Sequence, residues 1–119
     1  MVDSAPGWAR DNEDVTPTGF IHQAQLAEAV AWAERVLAPL GVIRIRHTVG
    51  EDWSGEPAVY FRVLLSDAAS DPARLRDVTR NIEAVIDREV DPLNAWGLFA
   101  YFNFRSQSEQ AVIQEPAWA

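Results

Sequence analysis

Val42-Ile43-Arg44-Ile45-Arg46-His47-Thr48-Val49 and Ala58-Val59-Tyr60-Phe61-Arg62-Val63-Leu64-Leu65-Ser66 are two runs in which apolar and polar side chains alternate. Between them stands Gly50-Glu51-Asp52-Trp53-Ser54-Gly55-Glu56-Pro57, a stretch rich in turn-forming residues. Period two on either side of such an insert predicts a β-hairpin. Alternation sends Ile43, Ile45, Val49, Val59, Phe61, Val63 and Leu65 to one face, and Arg44, Arg46, Tyr60 and Arg62 to the other.

The flanking segments supply what such a hairpin must pack against. From Gln23 to Leu37 the period becomes helical, with Leu26, Val30, Ala33 and Leu37 forming an apolar stripe; Pro39 and Gly41 end it. Downstream, Asp71-Pro72 reads as an N-cap and first-turn pair. The helix it introduces carries Leu75, Val78, Ile82, Val85 and Ile86 on one side and stops near Val90-Asp91-Pro92. Gly97 to Arg105 reads as a third strand, with Leu98, Ala100, Phe102 and Phe104 on one face and Phe99, Tyr101, Asn103 and Arg105 on the other.

The ends differ in character from this body of residues 21–105. Residues 1–20 are rich in Pro, Gly, Asp, Asn and Thr and read as a flexible arm that becomes fixed near Phe20-Ile21; Trp8 and Phe20 are its rings, and Trp8 either packs back on the domain or meets a partner. Residues 106–119 form a C-terminal tail that holds Ala111-Val112-Ile113, Pro116 and Trp118, either a short docked segment or a frayed end.

Helix, strand, strand, helix, strand is the order of an α+β domain. The economical packing is a two-layer α/β sandwich, a three-stranded sheet with two helices on one face. A crossover through the second helix makes the third strand parallel to the second. Placing the first strand between them gives the expected order 2-1-3, a layout related to ferredoxin-like and KH-like folds by element order alone, which carries no function.

Composition narrows the possibilities. A chain of 119 residues, 48% hydrophobic, suits one modest core. It holds no apolar run long enough to span a membrane, and its start lacks the basic-then-apolar layout of a signal peptide. Without cysteine there is no disulfide, thiolate nucleophile or Cys-based zinc site, and a cytoplasmic location is the expectation. The net charge of -8 disfavours nucleic acid and anionic lipid as partners. Its distribution is uneven: residues 1–21 and 106–119 together contribute five of the eight negative charges.

Suspicion therefore falls on the sheet face that two helices leave open. It would display Arg44, Arg46, Tyr60, Arg62, Leu64, Phe99, Tyr101 and Arg105, with Val42 at one end: rings and four arginines with no acid among them. Self-association through this face or a sheet edge is the leading expectation, because Tyr, Phe and Arg are favoured at interfaces. A different protein with an acidic segment is a second partner class. A nucleic-acid module, with rings stacking bases and Arg meeting phosphate, is a third. The simplest alternative is that an end of the chain folds over the face. Trp53, in an acidic loop, either packs on the sheet edge or contacts a partner. His47 shares the parity of Ile45 and reads as a half-buried core histidine; a small enzyme with a pocket joining it to the 51–56 loop is the alternative. No cofactor or metal is expected, since no H-x-H, HExxH or carboxylate ladder is present. The expected protein is a noncatalytic contact module, a homodimer or other homo-oligomer.

Overall fold

The computed structural model describes residues 16–119. Its elements are α1 (Thr18–Ile21), α2 (Gln23–Leu37), β1 (Val42–Glu51), β2 (Pro57–Leu65), α3 (Leu75–Glu89), α4 (Pro92–Trp96), β3 (Phe99–Ser106) and α5 (Gln107–Ile113), with 3-10 turns at Ala38–Leu40 and Pro116–Trp118. Three strands form one mixed sheet: β1 pairs antiparallel with β2, and β2 pairs parallel with β3. The helices pack on one face of it. Leu26, Val30, Ala33 and Leu37 of α2 and Ile82 and Ile86 of α3 meet Ile45, Val59, Phe61, Val63 and Leu65 in a single core. Burying each of the larger side chains contributes about 1.5–3 kcal/mol, so this layer-to-layer contact is what holds the sandwich. Trp8 lies outside the described residues.

The strand order is β1-β2-β3, not the expected 2-1-3. The reason is burial. β2 is the one strand closed on both sides, with Ala58 and Leu64 on the outer face as deeply buried as Phe61 and Val63 on the inner. Consecutive apolar residues at Val63-Leu64-Leu65 suit a central strand, whereas the arginines of β1 suit an edge. The parallel relation of β2 and β3 agrees with the expectation.

A second correction concerns the start of β1. Val42 pairs with Leu65 while Arg44 pairs with Leu64, so Ile43 is an extra residue in a bulge. One inserted residue reverses the parity of what precedes it. Val42 is thereby buried in the core at 4% exposure and Ile43 is turned out at 39%, the reverse of simple alternation.

The connections are tight. Gly41 ends the 3-10 turn with φ 97, and its carbonyl accepts a hydrogen bond from the Ser66 amide at 2.8 Å, fastening the exit of α2 to the end of β2. Asp71 does not cap α3 directly. Its carboxylate accepts from the Ala73 amide at 3.0 Å and its carbonyl from Leu75 at 2.9 Å, making a separate turn before the helix opens at Leu75. After α3, Asp91 adopts a left-handed conformation (φ 53) and starts α4, which the periodicity of the sequence did not announce.

The last fourteen positions are a docked segment rather than a frayed end. Ser106 and Glu109 form a reciprocal capping box at the start of α5, and Asp67 accepts from the Ser108 amide at 3.0 Å. Gln114, left-handed at φ 56, turns the chain back so that Pro116–Trp118 lies over the sheet. Among the described residues no helix is long and apolar enough to cross a membrane.

Candidate functional site

The sheet face away from the helices divides into two halves. At the hairpin end, Tyr60 and Tyr101 are register partners on β2 and β3, and their rings stack at 5.4 Å. The Tyr101 hydroxyl donates to Asp52 Oδ2 at 2.7 Å, and the Tyr60 hydroxyl donates to the Glu51 carbonyl at 2.9 Å. The other Asp52 oxygen accepts from the Ser54 amide at 2.9 Å, the Ser54 hydroxyl at 2.7 Å and the Glu56 amide at 2.9 Å. These donors, the Ser54 hydroxyl first and that of Tyr101 next, hold the Asp52 carboxyl down at about 2. The same contact raises the Tyr101 hydroxyl, because ionising it would remove the proton it gives to Asp52.

So the 52–56 turn is a fixed structure with Asp52 at its centre, closed further by Gly55 at φ 84. Trp53 sits on it with 92% of its surface exposed. Packing against the sheet edge is thus not what the ring does: the carboxylate pins the turn in a form that holds the indole in solvent. Phe99 enters β3 alongside Ala58, just past this turn, and is 42% exposed. Leu93, on the short helix leading into the same strand end, is 53% exposed. Three large apolar side chains therefore project at one end of the sheet.

The other half carries the arginines, and the chain's own C-terminal segment covers it. Arg46 Nε donates to the Ala119 main-chain oxygen at 2.7 Å, and Arg62 Nε donates to the Ala117 carbonyl at 2.8 Å. Arg105 lies 4.4 Å from the centroid of the Trp118 ring, pairs with Glu115 at 2.6 Å and donates to Gln110 Oε1 at 2.8 Å. Trp118 is buried to 7%, and Leu64, expected as part of an exposed patch, is buried to 3%. The expectation that an end of the chain folds over the face holds for this half. Its signals were in the sequence: Ser106-Gln107-Ser108-Glu109 is a capping-box pattern, and Trp118 is the one ring in the tail, two residues after Pro116. Arg44 stands apart, its Nε buried with no hydrogen-bond partner among the described residues.

The two sheet edges are unlike. On β1 the bulge at Ile43 breaks the register, and the Glu34 carboxylate accepts the outward-pointing Ile45 amide at 2.7 Å. On β3, Phe99-Ala100-Tyr101-Phe102-Asn103 runs in unbroken register with β2 on one side and, among the described residues, pairs with no strand on the other. That run has no charge, proline or bulge, devices that protect an edge.

His47 lies on the helix side, in a cleft of about 290 Å³ with Ala27, Val30, Glu34 and Arg46. None of residues 51–56 lines that cleft. Burial, and secondarily the charge of Arg62, lowers the His47 pKa, so the ring favours its neutral form. Among the described residues no group of three or more His, Cys, Asp or Glu could hold a metal ion.

The chain is thus a mixed-sheet α+β domain whose outer face is half closed by its own C-terminal segment. It matches no protein family, no curated protein and no solved structure.

Proposed function

We propose that the protein is a noncatalytic contact module that self-associates through the hairpin end of the sheet and the free edge of β3. The observation that supports this reading best is Trp53, fully presented on a turn held by four hydrogen bonds to one carboxylate. A rigid aromatic loses little conformational freedom on binding, which is why such residues dominate interface energetics. Phe99 and Leu93 are exposed at the same end of the sheet, and the edge of β3 that pairs with no strand among the described residues offers main-chain groups to a second copy's β3. Two copies related by a two-fold axis would bring these groups together in one isologous contact. The arginines contribute little to this interface, because Arg46, Arg62 and Arg105 already hold the C-terminal segment.

Sedimentation equilibrium over a hundredfold concentration range tests the reading. The wild-type chain is expected to shift from monomer mass to dimer mass. Trp53→Ala and Phe99→Glu, both at exposed positions, are expected to keep the native circular dichroism spectrum and to weaken the dimer by about thirtyfold or more, the cost of about 2 kcal/mol typical of a hot-spot residue. A monomer at every concentration, or a dimer indifferent to both changes, overturns it.

A further inference from the structure

The C-terminal segment sits on the arginine half of the face in the manner of a bound peptide. Two of its main-chain oxygens, at Ala117 and Ala119, are read by arginines; the Glu115 carboxylate is paired with a third; and one side chain, Trp118, is the apolar anchor. Around that anchor the segment is exposed from Ala111 to Ala117. It also fits the groove incompletely. A cleft of about 450 Å³ remains beside it, lined by Tyr60, Arg62, Asn103, Arg105, Glu115 and Trp118. Arg44, on the same face, has a buried Nε for which the segment supplies no acceptor. Arg44 does not line that cleft: it lies across Leu64 from Arg105, so the spare room and the spare donor are at different places along the groove.

We infer that this groove is a docking site for a linear segment of a partner protein, with a carboxylate three residues ahead of an indole and a further acidic or carbonyl acceptor for Arg44. Glu115–Ala119 is its built-in competitor. The charge complementarity is specific to this surface: arginines are gathered here in a chain of net charge -8, so an acidic segment meets attraction at this face and repulsion elsewhere. Arg105 can hold a carboxylate with its guanidinium edge and an indole with its face, which fits a Glu-x-x-Trp spacing. The tether gives the resident an effective concentration on the order of millimolar, so it excludes weak ligands and yields only to a segment that also uses Arg44 and the open cleft. The inference does not rest on the self-association reading, although the cleft borders that surface at Tyr60 and Asn103.

The probe is a fluorescein-labelled peptide, Gln-Glu-Pro-Ala-Trp-Ala, titrated into the full-length chain and followed by anisotropy. Trp118→Ala removes the resident's anchor and is expected to bind the peptide saturably and at least tenfold more tightly than wild type does. Adding Arg62→Ala or Arg105→Ala to Trp118→Ala, or replacing the peptide's Trp by Ala, is expected to abolish binding. A peptide with Asp or Glu added at its end is expected to bind more tightly to Trp118→Ala, and Arg44→Ala in that background to remove the gain. No saturable binding to a folded Trp118→Ala chain overturns the inference. So does a wild-type dimer that dissociates on Trp118→Ala, which would make the occupant a second copy's own segment. If Trp118→Ala loses its folded spectrum, the wild-type Trp118 indole N–H resonance is followed under millimolar unlabelled peptide. Its movement to a solvent-exposed position supports displacement, and an unmoved resonance overturns it.

Discussion

Asp52 organises the hairpin turn and links it to β3, and its role has a pH signature. Its folded-state pKa, about 2, lies below the ordinary value of 3.8, so the folded state holds that proton less tightly than the unfolded chain does. The stabilisation is therefore complete above the ordinary value and is lost as pH falls through about 2. Thermal melts across the acid range should show a steeper loss for wild type than for Asp52→Asn, and a lower melting temperature for the variant at neutral pH. Parallel curves would remove Asp52 from this role. Gly41 is the second position where one atom decides. Its φ of 97 suits glycine, and an added Cβ would lie 2.5 Å from the Ala69 Cβ. Strain and overlap together make Gly41→Ala destabilising by about 2–4 kcal/mol, measurable as a lowered denaturation midpoint with unchanged slope. At this scale the sequence was legible where parity ruled. Tyr60, Arg62, Phe99, Tyr101 and Arg105 all lie on the face that alternation assigned them, and His47 is half-buried on the other. It misled where a single residue broke the rule, as at the Ile43 bulge, or where a distant segment supplied the cover, as at Leu64.

Among the elements, α2, α3 and the three strands were readable from period, because each turns a regularly spaced apolar set toward the core. Strand order was not, since period says which face a strand buries and not which neighbours it takes; the two-sided burial of β2 was the missing clue. The short helices α4 and α5 escaped because helices of five and seven residues show too few turns for a stripe. They are held instead by caps and side-chain anchors: Trp96 Nε1 donates to the Val90 carbonyl at 2.9 Å, and Ser106 and Glu109 cap α5. Ser106→Ala is expected to destabilise α5 by about 1 kcal/mol. Because α5 carries the covering segment, faster amide exchange should follow through residues 107–118, with the β2 amides unchanged. Uniform acceleration throughout the chain would instead show that α5 and the sheet open as one unit.

For the whole molecule, the C-terminal cover redirects any contact between copies. A face read in the sequence as one arginine-and-ring surface is in the structure two surfaces, one satisfied within the chain and one left apolar at the hairpin end. Charge then separates the proposed dimer from a nucleic-acid complex. Each copy carries -8, and the hairpin turn that would enter the interface adds Glu51, Asp52 and Glu56 close by, so two copies approach against like charge. In the proposed dimer the attraction would come from burial of Trp53, Phe99 and Leu93 together with edge pairing, which salt does not screen. Raising ionic strength from about 0.02 to 0.5 M shortens the screening length from roughly 20 Å to about 4 Å and removes most of the repulsion while leaving the attraction intact. The dimer should accordingly tighten severalfold in sedimentation equilibrium as salt is added. A surface that bound phosphate through Arg44, Arg46, Arg62 and Arg105 would show the opposite slope, with retention of a single-stranded oligonucleotide falling steeply with salt. An association that weakens as salt rises would mean that charge attraction, not the apolar hairpin end, joins the copies, and the interface would have to be sought on the arginine half of the sheet.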